Sequence, residues 1–176
     1  MVGDTLYLDT SAWMKLYVPE AESASVEQMI ARSALCTSHQ ITYVEMRAAF
    51  AKAWRMGRID QAQKNTAVAG FETDWRTCKV LDATEQIIRR AGDHADRFGL
   101  RGYDSVHLAA AEAISLLLMP EPLTFVAADD NHARATPAPR LELAAAGRLH
   151  RGPDRGGLGG DQRRRQATLD RLARDH

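Results

Sequence analysis

The apolar run Thr5 to Leu8 (TLYL) is β-prone and stops at Asp9, and the next apolar residues begin at Ala12. This predicts a strand followed at once by a helical turn from Ala12, with Ser11 as its N-cap. Helical patterning covers Glu22 to Arg32, and Ala34 to Thr37 reads as a second short strand. Ile41 to Met56 is rich in helix formers and meets a stop signal at Gly57. A further helix from Ile59 to about Thr77 completes a helical hairpin. Lys79 to Leu81 is a third strand, and Thr84 caps a helix that runs to about Phe98 and ends at Gly99. Gly102 resets the chain before a helix over Tyr103 to Leu118. Pro120 and Pro122 break that helix ahead of Leu123 to Ala128 (LTFVAA), the clearest strand after the first. Such alternation predicts an α/β fold with a short central parallel sheet flanked by helices.

Past Asp130 the pattern weakens. Pro137 and Pro139 interrupt any helix, Gly152 to Gly160 holds five glycines, and Arg163 to Arg165 follow. The chain therefore divides into a core over residues 1–130 and an Arg/Gly/Ala-rich C-terminal segment over 131–176, which is expected to be partly disordered. Ala167 to Arg174 has the makings of one or two helical turns, marginal in isolation.

Composition narrows the picture. A length of 176 residues with 45% hydrophobic content suits one domain with a real core. Cys36 and Cys78 are the only cysteines and form no CxxC pair, which excludes a zinc site built on them and points to a reducing cytoplasm. Neither a signal peptide nor a membrane span is expected, because the longest apolar stretch, around Ile114 to Met119, is broken by Glu112 and Ser115. The net charge of zero hides a separation: 13 basic and 18 acidic residues up to Asp130, then 10 basic and 5 acidic. Every basic residue of the tail is arginine, which suits a polyanionic partner and equally suits a solvated tail.

The candidate chemistry lies in carboxylates. Functional groups of an open parallel sheet gather at the carboxyl ends of its strands, and Asp9 and Asp129 each follow an apolar strand. Glu45 shares its helical face with Ala48, Ala49, Lys52 and Met56, so small residues let the helix approach the sheet and aim the acid at the crevice. Asp104 opens a helix whose face continues through His107, Leu108, Ala111 and Ser115. Each acid also has an ordinary reading: Asp9 and Asp104 as helix caps, Asp129 as a turn residue, Glu45 as a partner of Lys52. Together they demand more, because unit like charges at about 4 Å repel by about 4 kcal/mol at an effective dielectric near 20. A convergent cluster needs a cation, and oxygen-only ligands favour magnesium or manganese over zinc. Carboxylate-held metals of that kind suit phosphodiester hydrolysis.

Four segments match a known pattern in order: LDTSAWMKLYVPE at Leu8 to Glu20, VEMRAAFAKAWRMGRI at Val44 to Ile59, LRGYDSVHLAAA at Leu100 to Ala111 and FVAADD at Phe125 to Asp130. The chain resembles the PIN-domain nucleases, in particular VapC-type toxins of type II toxin–antitoxin pairs, over about residues 5 to 130. The resemblance implies a Rossmann-like PIN fold and an endoribonuclease that hydrolyses RNA with water activated by Mg2+ or Mn2+. It also implies a cognate antitoxin and a homodimer. By position it assigns Asp9, Glu45, Asp104 and Asp129 to the metal, with Asp130 a rival for the last place. Ser11 matches the hydroxyl of the family's opening motif, where it orients water or a carboxylate. Two departures stand out: Ala127, where many relatives carry a hydroxyl residue, and the whole segment after Asp130.

Other readings lack their signatures. A dehalogenase-type phosphotransferase needs a second acid where Ser11 stands, and no GxGxxG follows the first strand and no GxxxxGKS/T occurs. His39, His94, His107 and His132 make no i, i+4 ligand pair, and His107 on an apolar stripe reads as a satisfied core histidine. The remaining alternative is a PIN-like module that binds RNA or protein without cutting. Trp54, Phe71 and Trp75 on the hairpin either pack in a core or offer a partner or dimer surface.

Overall fold

The computed structural model describes residues 4–18, 23–128 and a strand at 141–145. Strand β1 (Asp4–Leu8) leads into a short helix α1 (Thr10–Met14), followed by α2 (Ser23–Arg32) and β2 (Ser33–His39). Helices α3 (Ile41–Arg55) and α4 (Gln61–Trp75) form the expected hairpin. Then come β3 (Lys79–Leu81), α5 (Glu85–Phe98), α6 (Gly102–Leu118), β4 (Leu123–Ala127) and β5 (Leu141–Ala145).

All pairings are parallel, in the order β3-β2-β1-β4-β5, with β1 at the centre. Adjacent β1 and β4 run in register from Thr5 opposite Leu123 to Leu8 opposite Val126. Both faces are covered, as a parallel sheet requires. Leu6, Leu8 and Val126 pack with Trp13, Val26, Met46, Phe50 and Phe71 from α1 to α4. On the other face, Tyr7, Leu123 and Phe125 pack with Ile87, Ala91 and the apolar stripe of α6, including Ala110 and Ile114. Alternation along β1 thus hands its residues to two different cores.

Local chemistry explains most boundaries. Asp60 and Gln63 form a reciprocal capping box at the start of α4, and the Thr84 side chain accepts the Ile87 N–H at the start of α5. Gly99 ends α5 with φ +66°, a left-handed conformation that side chains with a Cβ resist. The expected N-cap at Ser11 is corrected. Asp9 is the cap, with extended backbone at φ −80° and ψ 176°, and the helix starts one residue later at Thr10. The carboxylate of Asp9 reaches the Ala12 N–H, whereas the Ser11 hydroxyl turns towards its neighbours in the sheet.

Trp54, Phe71 and Trp75 separate. Phe71 is fully buried and stacks edge-on or tilted against Trp13, Tyr17, Tyr43, Phe50 and Trp75. Trp75 packs at the margin of that core, and Trp54 stays 42% exposed beneath the Lys64 ammonium. Strand β5 adds an edge from the segment after Asp130. The expectations of a partly disordered tail and of helical turns near Ala167 fall outside the described residues.

Candidate active site

Asp9 stands directly beyond the central strand and is buried. Its backbone N–H donates to Val126 O on β4 at 3.2 Å. Its Oδ1 accepts from the Ala12 N–H at 2.9 Å and from the Ser11 hydroxyl at 2.7 Å. Ser11 Oγ in turn accepts the Ala128 N–H at 2.7 Å. One hydroxyl therefore ties the acid at the end of β1 to the chain leaving β4.

Glu45 reaches the same end of the sheet from the second turn of α3. Its Oε2 accepts from Thr10 Oγ1 at 2.5 Å and lies 2.8 Å from His107 Nε2. The other nitrogen of that ring, Nδ1, is 2.9 Å from the hydroxyl of Tyr7. Burial first, then the nearby Asp9 and Glu45 carboxylates, holds the Tyr7 phenol well above its ordinary pKa, so the hydroxyl keeps its proton. Glu45 thus turns to Thr10 and His107. The small-residue face expected to carry it there is corrected: Ala48, Lys52 and Met56 are exposed, and α3 packs on the core through Thr42, Met46, Phe50 and Ala53.

Asp104 is half-buried in the first turn of α6, which packs against β2 and β4. His107 is one turn further on, so the two side chains share a helix face. Asp129 and Asp130 lie outside the described residues. The described chain ends beside them at Ala128, held by Ser11. Among the described residues no three His, Cys, Asp or Glu side chains are gathered as a metal site.

Sequence reasoning missed Thr10, Tyr7 and His39. His39 is fully buried at the end of β2 and its Nδ1 accepts the Ile41 N–H at 3.1 Å. It thereby caps α3, whose own N-cap residue Gln40 makes no side-chain bond to the helix. Burial and then His107 push its pKa from 6.5 down to about 4, against weaker pulls from Asp82 and Glu45. His107 is the satisfied core histidine the apolar stripe suggests, yet one of its bonds ends on a site carboxylate.

Residues 6–136, covering all of these groups, match the family model of the PIN domain. The chain belongs to the PIN-domain family. It is 31% identical over 109 residues to Ribonuclease VapC45 of Mycobacterium tuberculosis, an alignment that covers 62% of this chain and 76% of the relative. The structure of FitAcB from Neisseria gonorrhoeae superposes with a TM-score of 0.57 at 18% identity, over 82% of this chain and 99% of the other. Mycobacterium tuberculosis VapC20, a toxin that cleaves the sarcin–ricin loop, superposes with a TM-score of 0.56 at 16% identity, over 74% and 94%. At those identities the two superpositions speak for the PIN fold alone.

Proposed function

We propose that this PIN-domain protein is a magnesium- or manganese-dependent endoribonuclease, the toxin of a toxin–antitoxin pair acting in the cytoplasm. The observation that carries the reading is that Thr10, the residue next to buried Asp9 at the end of the central strand, donates its hydroxyl to Glu45 of α3. The curated relative at 31% identity bears the name ribonuclease, which supports the same chemistry.

The donors fit a hard divalent cation. Asp9 and Glu45 offer only oxygen, whereas both thiols are elsewhere, Cys36 within β2 and Cys78 just ahead of β3. Asp9, Glu45, Asp104 and Asp129 would hold the ion. Once bound, it supplies Lewis acidity to the phosphodiester and to the attacking water. The rest falls to the chain: Ser11 and the Ala12 N–H fix the Asp9 carboxylate, and Thr10 and His107 fix that of Glu45. No side chain is needed as a covalent nucleophile.

A cognate antitoxin and a second copy of the chain are the proposed protein partners. Exposed Val44, Trp54 and Met56 on the hairpin, and Leu116, Leu117 and Met119 at the end of α6, give apolar surface for them. No described helix is long and apolar enough to cross a membrane.

The test uses purified protein with structured and single-stranded RNAs, with and without Mg2+ or Mn2+, beside Asp9→Asn and Glu45→Gln. Cleavage should require the metal and collapse in both variants. Metal-independent cleavage, or undiminished cleavage by the variants, defeats the mechanism. RNA binding without any cleavage favours the non-cutting module.

A further inference from the structure

We propose that Tyr7 and His107 form a buried positioning relay for Glu45, in which His107 Nε2 donates its proton to the carboxylate. The inference rests on the metal-dependent reading above and adds two residues that the acidic motif does not include.

The proton bookkeeping fixes the donor at Glu45. Ionised Glu45 only accepts, so His107 Nε2, 2.8 Å from Oε2, must donate. The other ring nitrogen, Nδ1, lies 2.9 Å from the Tyr7 hydroxyl, a group that can both donate and accept and so holds the ring from its far side. Tyr7 is fully buried and His107 nearly so, and water therefore does not take over either bond.

The relay is rigid because each member is held from a second direction. The Tyr7 ring stacks on Phe125 of β4, centroids 5.2 Å apart and planes 12° from parallel. It meets the His107 ring edge-on at 5.9 Å and 73°. His107 sits mid-stripe on α6, between buried Val106 and Leu108. Thr10 donates to the same Oε2, its Oγ1 beside the ring at 3.4 Å from His107 Nε2. Two donors converging on one oxygen set the carboxylate plane before any ion arrives. That makes Tyr7 and His107 positioning residues, acting through Glu45. Partners that orient a ligating carboxylate typically change metal affinity or activity by about 10- to 100-fold when removed.

The experiment measures Mn2+ binding to the full chain without RNA, by the loss of the free-ion electron paramagnetic resonance signal, alongside thermal unfolding. The proteins are wild type, Tyr7→Phe, His107→Phe and His107→Gln. His107→Phe should weaken Mn2+ by about 10- to 100-fold. Tyr7→Phe should weaken it less, and His107→Gln, which restores a donor near the Nε2 position, should recover part of the loss. Nitrogen-15 shifts of the His107 ring in metal-free wild type should show a protonated Nε2. A bare Nε2 overturns the relay. So does a folded Tyr7→Phe with unchanged Mn2+ affinity, a measurement that stands even if His107→Phe fails to fold. Failure of wild type itself to bind Mn2+ overturns the metal reading and the positioning role with it, an outcome separate from binding that the variants retain.

Discussion

Replacing Ser11 by Ala removes a single oxygen, and that oxygen joins two strands. It donates to Asp9 Oδ1 at 2.7 Å and accepts the Ala128 N–H at 2.7 Å. A hydrogen bond to a carboxylate is worth about 1.5–3 kcal/mol, and leaving a backbone donor without its acceptor costs about 1–3 kcal/mol when buried. Ser11 is only half-buried, so water replaces part of both. The expected loss is about 2–4 kcal/mol, which at about 2–4 °C per kcal/mol lowers the melting temperature by about 5–15 °C. Urea unfolding followed by circular dichroism measures it, with Ser11→Thr as the control that keeps the hydroxyl. Because Asp9 retains the Ala12 N–H, the variant should fold and lose nuclease activity more steeply than stability. An Ala variant within about 0.5 kcal/mol of wild type, the scatter of an inert surface change, would refute the idea that Ser11 braces the site.

Two further outcomes follow from the packing and the charges. Phe71→Ala should cost about 3–5 kcal/mol in the same unfolding assay, because its ring is the hub of the aromatic cluster, whereas half-exposed Trp54→Ala should cost far less. His39 is neutral in the fold, its pKa depressed from 6.5 to about 4 by burial and by His107. Between those values the unfolded chain binds a proton that the folded chain refuses, so its contribution is complete above about pH 6.5 and is lost as the pH falls towards about 4. His39→Asn keeps an acceptor for the Ile41 N–H, and its stability should fall less between about pH 7 and pH 5. An identical slope for both proteins would remove His39 from the account.

The elements were legible where local signals agree. Lys79–Leu81 and the helix from Thr84 to Gly99 match residue for residue, since a cap, an amphipathic face and a left-handed glycine all coincide there. Asp9 could be read from its position directly after a strand, and Glu45 from the motif it stands in, since the helix face it shares with Ala48, Lys52 and Met56 is exposed. Ser11 could not be ranked against Asp9 as cap, because both carry a suitable oxygen and the choice depends on β4, far away in the chain. Tyr7 and His107 were harder still. A tyrosine in an apolar strand and a histidine in an apolar helix stripe each look like core, and only the approach of α6 to β1 reveals that their polar atoms meet. The same limit applies to Thr10, whose role depends on where α3 lands.

The bond between Ser11 and Ala128 spans 117 positions, and that between Tyr7 and His107 spans 100. Translation proceeds from the amino end, so Asp9 leaves the ribosome well before Ala128 and His107, which complete its surroundings. An unfinished polypeptide that stops short of α6 carries Asp9 and Glu45 but has neither the imidazole nor the β4 backbone that fixes them. The site is therefore a product of the whole sheet: its carboxylates take up their fixed positions only after α6 and β4 have docked on β1, a late step in folding because these contacts lie so far apart in the chain.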